Sequence, residues 1–401
     1  MIKPYLTAVE TGEDVIQQSL EIIRQHFGMD VAYLSEFVGD RSVFRRIVAP
    51  GLEHLVKEGD SNPLADVYCG HIIAGRLPQL IPNTDKEPLA RSMPITSMIP
   101  IGSHLSIPIR LSDGTLYGNF CCLSKEPNDS LNQRDLQTME MFANLTARQL
   151  SQEVETRRKS DALSARIKDI IAVSAFDIAY QPIFAFQPER VKGYEALCRF
   201  RPRPYQAPDT WFAEAQYTGL GVELETTVLR EALRGLEQLE GRQYLSVNAK
   251  PAMILSGRLE EVLADRPLDR IVLEITEHDE VSDYSELIAA LQPWRDAGLK
   301  LAVDDAGAGY ASLQHIVQIA PDIIKLDMSL TRNVDSDPAR RALASALIFF
   351  ARETGARLIA EGVETRAELE TLKILGVNAA QGFLLGRPGP LPHRAPGMTG
   401  T

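Results

Sequence analysis

Hydrophobic positions along the chain follow two rhythms, and the change falls near Phe176. Upstream, Val15, Leu20, Ile22, Ile23 and Phe27 recur near helical spacing and Gly28 follows as a stop, which predicts a first helix over 13–27. Residues 31–37 and 42–48 are rich in β-branched and aromatic side chains, and the Gly39-Asp40 pair between them is hairpin chemistry. Residues 105–111 and 115–123 repeat this around Ser112-Asp113-Gly114, so both pairs are expected to be antiparallel. An irregular, proline-dotted stretch over 51–98, with one short helix expected near 67–74, is the kind of long loop that covers a sheet and forms a ligand pocket. From 133 to 171 neither proline nor glycine interrupts a helical pattern, which predicts one long helix joining two halves. Its apolar positions Met139, Phe142, Leu145 and Leu150 are expected to pair with a second copy, making the protein a homodimer.

Downstream, short apolar strands are expected at 178–183, 193–200, 244–247, 270–275, 300–304, 323–326, 357–360 and 379–383. Amphipathic stretches at 223–238, 285–297, 339–353 and 366–375 separate many of them. Eight strands with intervening helices predict an α/β fold, a TIM-like (β/α)8 barrel. The first two strands are linked only by 185–190, too short for a parallel crossover, so the first strand is expected to be antiparallel. The predicted organisation is an α+β domain over 1–150, a linker helix over 151–172 and a barrel over 173–401.

Composition narrows the functions such a chain can have. With 401 residues and 44% hydrophobic content it can bury the cores of about two soluble domains. A formal net charge of -12 argues against non-specific binding to DNA, RNA or anionic membranes, so a phosphate-bearing substrate would have to be met by metal ions or a few placed basic residues. Residues 1–14 lack the apolar core of a secretory signal and no apolar run is long enough to span a bilayer, so a cytoplasmic location is expected. Cys69, Cys121, Cys122 and Cys198 form neither a CxxC pair nor a spaced zinc set, which argues against a disulfide framework or structural zinc; Cys69 reads as a buried structural thiol.

The candidate chemistry lies at the strand ends. Glu195, Asn248, Glu274, Asp304, Asp305, Lys325, Glu361 and Gln381 all fall late in, or just after, a predicted strand, where catalytic groups of such barrels sit. Asp304 and Asp305, taken alone, also fit an acidic helix cap. Two adjacent acids can serve one site only where a strand is ending and turning, a turn that Gly307 and Gly309 would supply; brought close, they need a proton or a cation between them. Oxygen donors without His or Cys suit hard ions such as magnesium or manganese, and the number of acids fits two.

At these residues the second half is identified as a member of the EAL domain family of cyclic di-GMP phosphodiesterases. Glu195-Ala196-Leu197-Cys198-Arg199 is the signature, and Tyr180-Gln181-Pro182-Ile183, Ser246-Val247-Asn248, Leu273-Glu274-Ile275-Thr276-Glu277, Asp304-Asp305, Lys325-Leu326-Asp327, Ala360-Glu361-Gly362-Val363-Glu364-Thr365 and Gln381-Gly382-Phe383 follow in order. The resemblance implies that Glu195, Asn248, Glu274 and Asp304 hold Mg2+ or Mn2+, two ions per site, with Asp305 bridging or holding the second. It implies that Lys325 positions or deprotonates the attacking water, Glu361 binds metal-bound water, and Glu277 anchors the loop after Asp305. Glu364 and Gln381 would support the site, while Gln181 and Arg199 would face the dinucleotide, which would open to linear pGpG. Where the family shows Asp-Asp-Phe-Gly-Thr-Gly, this chain has Asp304-Asp305-Ala306-Gly307-Ala308-Gly309, which is expected to loosen that loop; Ala306→Phe is expected to tighten metal binding.

The first half resembles a GAF sensor domain through Tyr68-Cys69-Gly70-His71, Leu77-Pro78, Leu105-Ser106-Ile107-Pro108-Ile109 and Asp113-Gly114-Thr115-Leu116-Tyr117-Gly118. That implies an unidentified small ligand or signal regulating the barrel. Two other readings compete: a catalytically silent cyclic di-GMP receptor that signals to a partner protein, and a glycosidase with paired acids, which would need neither Lys325 nor Asn248.

Overall fold

The computed structural model describes residues 12–276, 281, 283–307 and 312–392. It divides into two compact units after Lys159. In the first, helix α1 (Gly12–His26) precedes β1 (Val31–Val38) and β2 (Arg41–Val48). The turn between those strands places Gly39 at φ +62°, a region open to glycine at no steric cost. The covering segment holds β3 (Ser61–Pro63), α2 (Tyr68–Ile73), β4 (Leu80–Ile81), α3 (Pro88–Ser92) and α4 (Pro94–Met98), more structure than the single helix expected there. The second hairpin is β5 (Ser103–Arg110) and β6 (Leu116–Ser124), and α5 (Gln133–Val173) follows.

The six strands form one antiparallel sheet in the order β3-β2-β1-β6-β5-β4. Alternation along the strands supplies two cores. Ala32, Leu34, Leu105, Ile107, Phe120 and Cys122 pack with residues of α1 and α5 on one face. Val31, Tyr33, Cys121 and Leu123 face the other way, into Tyr68, Cys69 and Ile72 of α2 and the residues around it. The stripe expected to pair two copies is used differently. Met139 and Leu150 are buried in this unit's own core and Phe142 packs against it, leaving Leu145 exposed beside Met141.

In the second unit, β7 (Phe176–Phe186) and β8 (Glu189–Phe200) form a long hairpin, followed by α6 (Pro208–Tyr217) and α7 (Gly221–Leu233). Then come β9 (Tyr244–Asn248), α8 (Pro251–Leu255), α9 (Leu259–Leu263), β10 (Ile271–Thr276), α10 (Tyr284–Asp296), β11 (Lys300–Ala306) and α11 (Ser312–Ile319). The chain continues through β12 (Ile323–Leu326), α12 (Met328–Thr331), α13 (Pro338–Thr354), β13 (Arg357–Ala360), α14 (Arg366–Leu375) and β14 (Ala379–Ala380). The eight strands close in the order β10-β11-β12-β13-β14-β7-β8-β9. β7 is antiparallel to both neighbours, and the remaining pairs are parallel.

Both faces of these strands are buried, which is why they read as short apolar runs. Leu245, Val247, Leu273, Ile275, Leu301, Val303, Ile324 and Leu358 join residues of the helices in the largest core of the molecule. Ile183, Val272, Ala302, Ile323, Ile359 and Ala379 form a separate cluster, the apolar plug inside the barrel, with Tyr244 against it. At the amino-terminal mouth a cavity of about 1170 Å³ is bordered by Lys192, Arg242, Lys300 and Arg357. The other mouth is acidic.

Candidate active site at the carboxyl ends of the barrel strands

The acidic layer follows from strand geometry. Two residues along a strand return a side chain to the same face. Starting from plug positions, that step leads from Gly193 to Glu195, Tyr244 to Ser246, Val272 to Glu274, Ala302 to Asp304, Ile323 to Lys325, Ile359 to Glu361 and Ala379 to Gln381. On the antiparallel β7 the same step runs backwards, from Ile183 to Gln181, which pairs with Glu195. Each strand thus contributes one polar residue to a layer above the plug.

Lys325 is the centre of that layer, with 0% of its surface exposed. Its Nζ lies 2.8 Å from Glu361 Oε1, 2.9 Å from Glu274 Oε2, 3.1 Å from Asp304 Oδ1 and 3.4 Å from Glu195 Oε2. Burial pushes its ammonium towards the neutral form, but the carboxylates of Asp304, Glu195, Glu274 and Glu361 outweigh burial and hold its pKa well above the ordinary lysine value. Without bound cations Lys325 is therefore charged and cannot accept a proton.

The acids respond in the opposite direction. Burial raises Glu274 to about 8, with the charges of Glu195 and Asp304 adding to it and Lys325 opposing. Burial likewise raises Glu361 well above the usual carboxylate range, with Lys325 opposing and Asp304 and Glu195 reinforcing.

Supporting contacts hold the ring in place. Ser246 Oγ donates to Glu274 Oε1 at 2.5 Å. Gln381 Nε2 donates to Glu195 Oε2 at 2.5 Å and to Gln181 Oε1 at 3.0 Å, and Gln181 Nε2 donates to the Gly386 carbonyl at 3.0 Å. Gln181 is thus tied into the support of Glu195. Asp304 and Asp305 share the site through a bulge: the β11–β12 register shifts between Val303 and Ala306, and Asp305 sits in the left-handed region at φ +57°. Such a backbone costs about 1–3 kcal/mol for a non-glycine residue and collects at functional sites.

Asn248 ends β9 opposite Glu274 and is exposed at the rim. Arg199 lies on the same face of β8 as Glu195, four residues on, half-buried, with Nη1 donating to the Cys198 carbonyl at 2.9 Å. Glu364 is not in the layer: its Oε1 pairs with Arg332 Nη2 at 2.6 Å near the surface. Glu277, Ala308 and Gly309 lie outside the described residues. Gly307 is at φ +103°, where a Cβ would come within 2.3 Å of Leu330 Cδ1. Ala306 is fully buried in the core between barrel and helices, so a phenylalanine there would have to displace its neighbours, a different expectation from the sequence reading. Ser246 stood in a family motif but was given no role; its signal was its place two residues before Asn248, on the same strand face.

The donor set fits divalent cations. Carboxylate oxygens of Glu195, Glu274 and Asp304 lie within 4.8 Å of one another, as do those of Asp304, Asp305 and Glu361, so Asp304 belongs to both groups. Five carboxylates and one ammonium leave four negative charges when all are ionised, which two divalent ions would cancel. Buried Glu274 Oε2 and Gln381 Oε1 accept no well-aligned hydrogen bond, and Lys325 Nζ aligns with none of its four acids.

Fold and rim define the class: an α/β barrel with one acidic mouth, preceded by an α+β domain. Within that class the chain belongs to the EAL domain family, whose pattern matches residues 164–388, and a GAF domain occupies residues 11–150. A cyclic di-GMP phosphodiesterase of Pseudomonas aeruginosa is 32% identical over 224 residues, 53% of this chain and 38% of its own length. The chain spans less than half the length of the curated relatives it matches. Among solved structures, the PaMucR phosphodiesterase in complex with c-di-GMP is 28% identical, with a TM-score of 0.52 over 57% of this chain and 98% of its own. An EAL enzyme solved with cAMP and cyclic di-GMP shares the fold over 90% of this chain and 91% of its own, with a TM-score of 0.55 at 19% identity. Among the described residues no helix is long and apolar enough to cross a membrane.

Proposed function

We propose that the protein hydrolyses cyclic di-GMP to linear pGpG with two Mg2+ or Mn2+ ions, under the control of its GAF domain. The observation that carries this reading is the pair of carboxylate groups sharing Asp304 around one buried ammonium. Glu195, Glu274 and Asp304 would hold one ion, Asp304, Asp305 and Glu361 the other, and Asn248 would add an oxygen from the rim. When bound, such a pair lowers the pKa of water, polarises the phosphate and stabilises the leaving 3′-oxygen.

The chain's own residues do the rest. Ser246 and Gln381 fix the orientation of Glu274 and Glu195, so the donors are set before substrate arrives. Lys325 keeps the acids from repelling one another apart, and cations on those acids would take over part of that work and lower its proton affinity. Arg199 offers a planar fork to a phosphate two steps beyond the acid layer. Incubating the protein with cyclic di-GMP and Mn2+ or Mg2+, then separating the products, should show pGpG that disappears with a chelator. Tight binding of the dinucleotide with no product at any metal concentration would make the protein a receptor instead.

A further inference from the structure

The GAF domain carries a second cluster of ligand-type side chains, of the opposite chemical character. Neighbouring strands bring Tyr33 of β1, Cys121 of β6 and Ser106 of β5 into one row, because Tyr33 pairs with Cys121 and Cys121 with Ser106. His104 stands two residues before Ser106 on the same face, and Cys69 reaches the row from helix α2. All five are buried; His104 is 1% and Cys121 0% exposed. One ring nitrogen of His104 and the two sulfurs lie within 4.8 Å of each other.

Three of the six edges of a four-donor set are those of ligands around one tetrahedral ion. Two sulfurs each about 2.3 Å from a zinc-class ion stand about 3.7–3.8 Å apart, and oxygen or nitrogen donors at about 2.0–2.1 Å give edges of about 3.4–3.6 Å. Cys69 Sγ and Cys121 Sγ are 3.7 Å apart, Tyr33 Oη is 3.6 Å from Cys69 Sγ, and Tyr33 Oη is 3.4 Å from His104 Nε2. A disulfide would instead require the sulfurs to close to about 2.05 Å.

The surroundings prepare Cys121 as an acceptor. Asn119 Nδ2 donates to Ser106 Oγ at 2.5 Å, which leaves the serine hydrogen for Cys121 Sγ, 3.1 Å away. That hydrogen bond orients the sulfur and favours its charged form, opposing burial and Cys69, which together push the Cys121 thiol well above its ordinary value. His104 Nδ1 is buried with no hydrogen-bond partner. Tyr33, Tyr68 and His104 also border a cavity of about 40 Å³, room for a water-sized group.

We propose that Cys69, Cys121 and His104 bind a thiophilic divalent ion of the zinc class, with the Tyr33 hydroxyl at the fourth position, and that this ion is a ligand of the GAF domain. Binding releases the two thiol protons, and two thiolates cancel the charge of the ion, so the loaded site is neutral and suits its apolar surroundings.

The test uses the full chain, reduced, stripped with a chelator and titrated with Co2+. One Co2+ per chain should produce a thiolate-to-cobalt charge-transfer band, and Zn2+ should abolish it. Cys69→Ser, Cys121→Ser and His104→Gln should each weaken binding more than about 100-fold, and Ser106→Ala about 10- to 100-fold. Cys122→Ser, on the opposite sheet face, and Cys198→Ser, in the barrel, should keep the full band. Circular dichroism checks that each variant is folded. Absence of the band in folded, reduced wild-type protein overturns the proposal, as does its persistence in both Cys69→Ser and Cys121→Ser. A Cys69–Cys121 disulfide in the purified chain, seen as a loss of two hydrogens in its mass, overturns it too. The barrel rim offers only oxygen donors and gives no such band, so this result stands apart from whether the barrel hydrolyses cyclic di-GMP.

Discussion

The barrel rim and the core of the GAF sheet each gather buried ligand-type side chains, and they do so by different means. The rim collects one residue per strand, hard oxygen donors two positions beyond an apolar plug. The GAF cluster collects sulfur and nitrogen from one helix and two strands, across 52 residues between Cys69 and Cys121 and 71 between Tyr33 and His104. A repetitive architecture converts local spacing into convergence, whereas a sheet covered by an irregular segment does so only through its particular register. The rim also holds its own counter-ion in Lys325. Among the described residues the GAF cluster has a hydroxyl relay and no cation.

The comparison breaks most easily at its shared ligand. Asp304→Asn should lower turnover of cyclic di-GMP by about 1000-fold, the scale of losing a key electrostatic group, while leaving the cobalt band of the GAF domain untouched. A steady-state assay beside the Co2+ titration checks both; near-normal turnover would mean that Asp304 is not the common ligand. Next in size, Ser246→Ala removes the donor to Glu274 and should raise the Mn2+ concentration needed for half-maximal rate by about 10- to 100-fold. An unchanged metal requirement would show that the contact only fills space.

Thermal unfolding sharpens the contrast further. Mn2+ should stabilise the Cys121→Ser variant but not Asp304→Asn, and Zn2+ at one equivalent should do the reverse. The Mn2+ effect should also depend on pH. Glu274 rises from 4.5 to about 8 on folding, so the metal-free fold takes up a proton and loses stability as pH rises through that window. Divalent ions compete with that proton, so stabilisation by Mn2+ should be larger at pH 8 than at pH 5.5; an equal shift at both values would count against proton and metal sharing the site. The smallest effect concerns Ala306. Its full burial leads us to expect that Ala306→Phe costs about 1–3 kcal/mol of stability by denaturant unfolding, whereas the sequence alone suggested tighter metal binding.

Much of the barrel was legible because alternation and strand ends are local properties. The antiparallel first strand followed from a linker too short to cross over, and the acids followed from their position just after apolar runs. Ser246 was quoted only as part of a motif, without a role, because a serine inside an apolar strand carries little signal until its partner is known. The last strand was read over 379–383 but pairs only over Ala379–Ala380, since the chain turns at Gln381 to support Glu195. The stripe on α5 was legible as apolar, yet nothing local said that Met139 and Leu150 would cover the domain's own sheet.

Order along the chain, then, determined two domains, an eight-stranded barrel and a family of acids at its mouth, because each depends on spacings of two to four residues. Only the tertiary structure decided that Asp304 belongs to both carboxylate groups, that Lys325 is surrounded by four carboxylates, and that three residues with no metal-binding spacing meet inside the GAF domain. Those contacts depend on sheet register and helix placement, which are set by packing between segments distant in the chain.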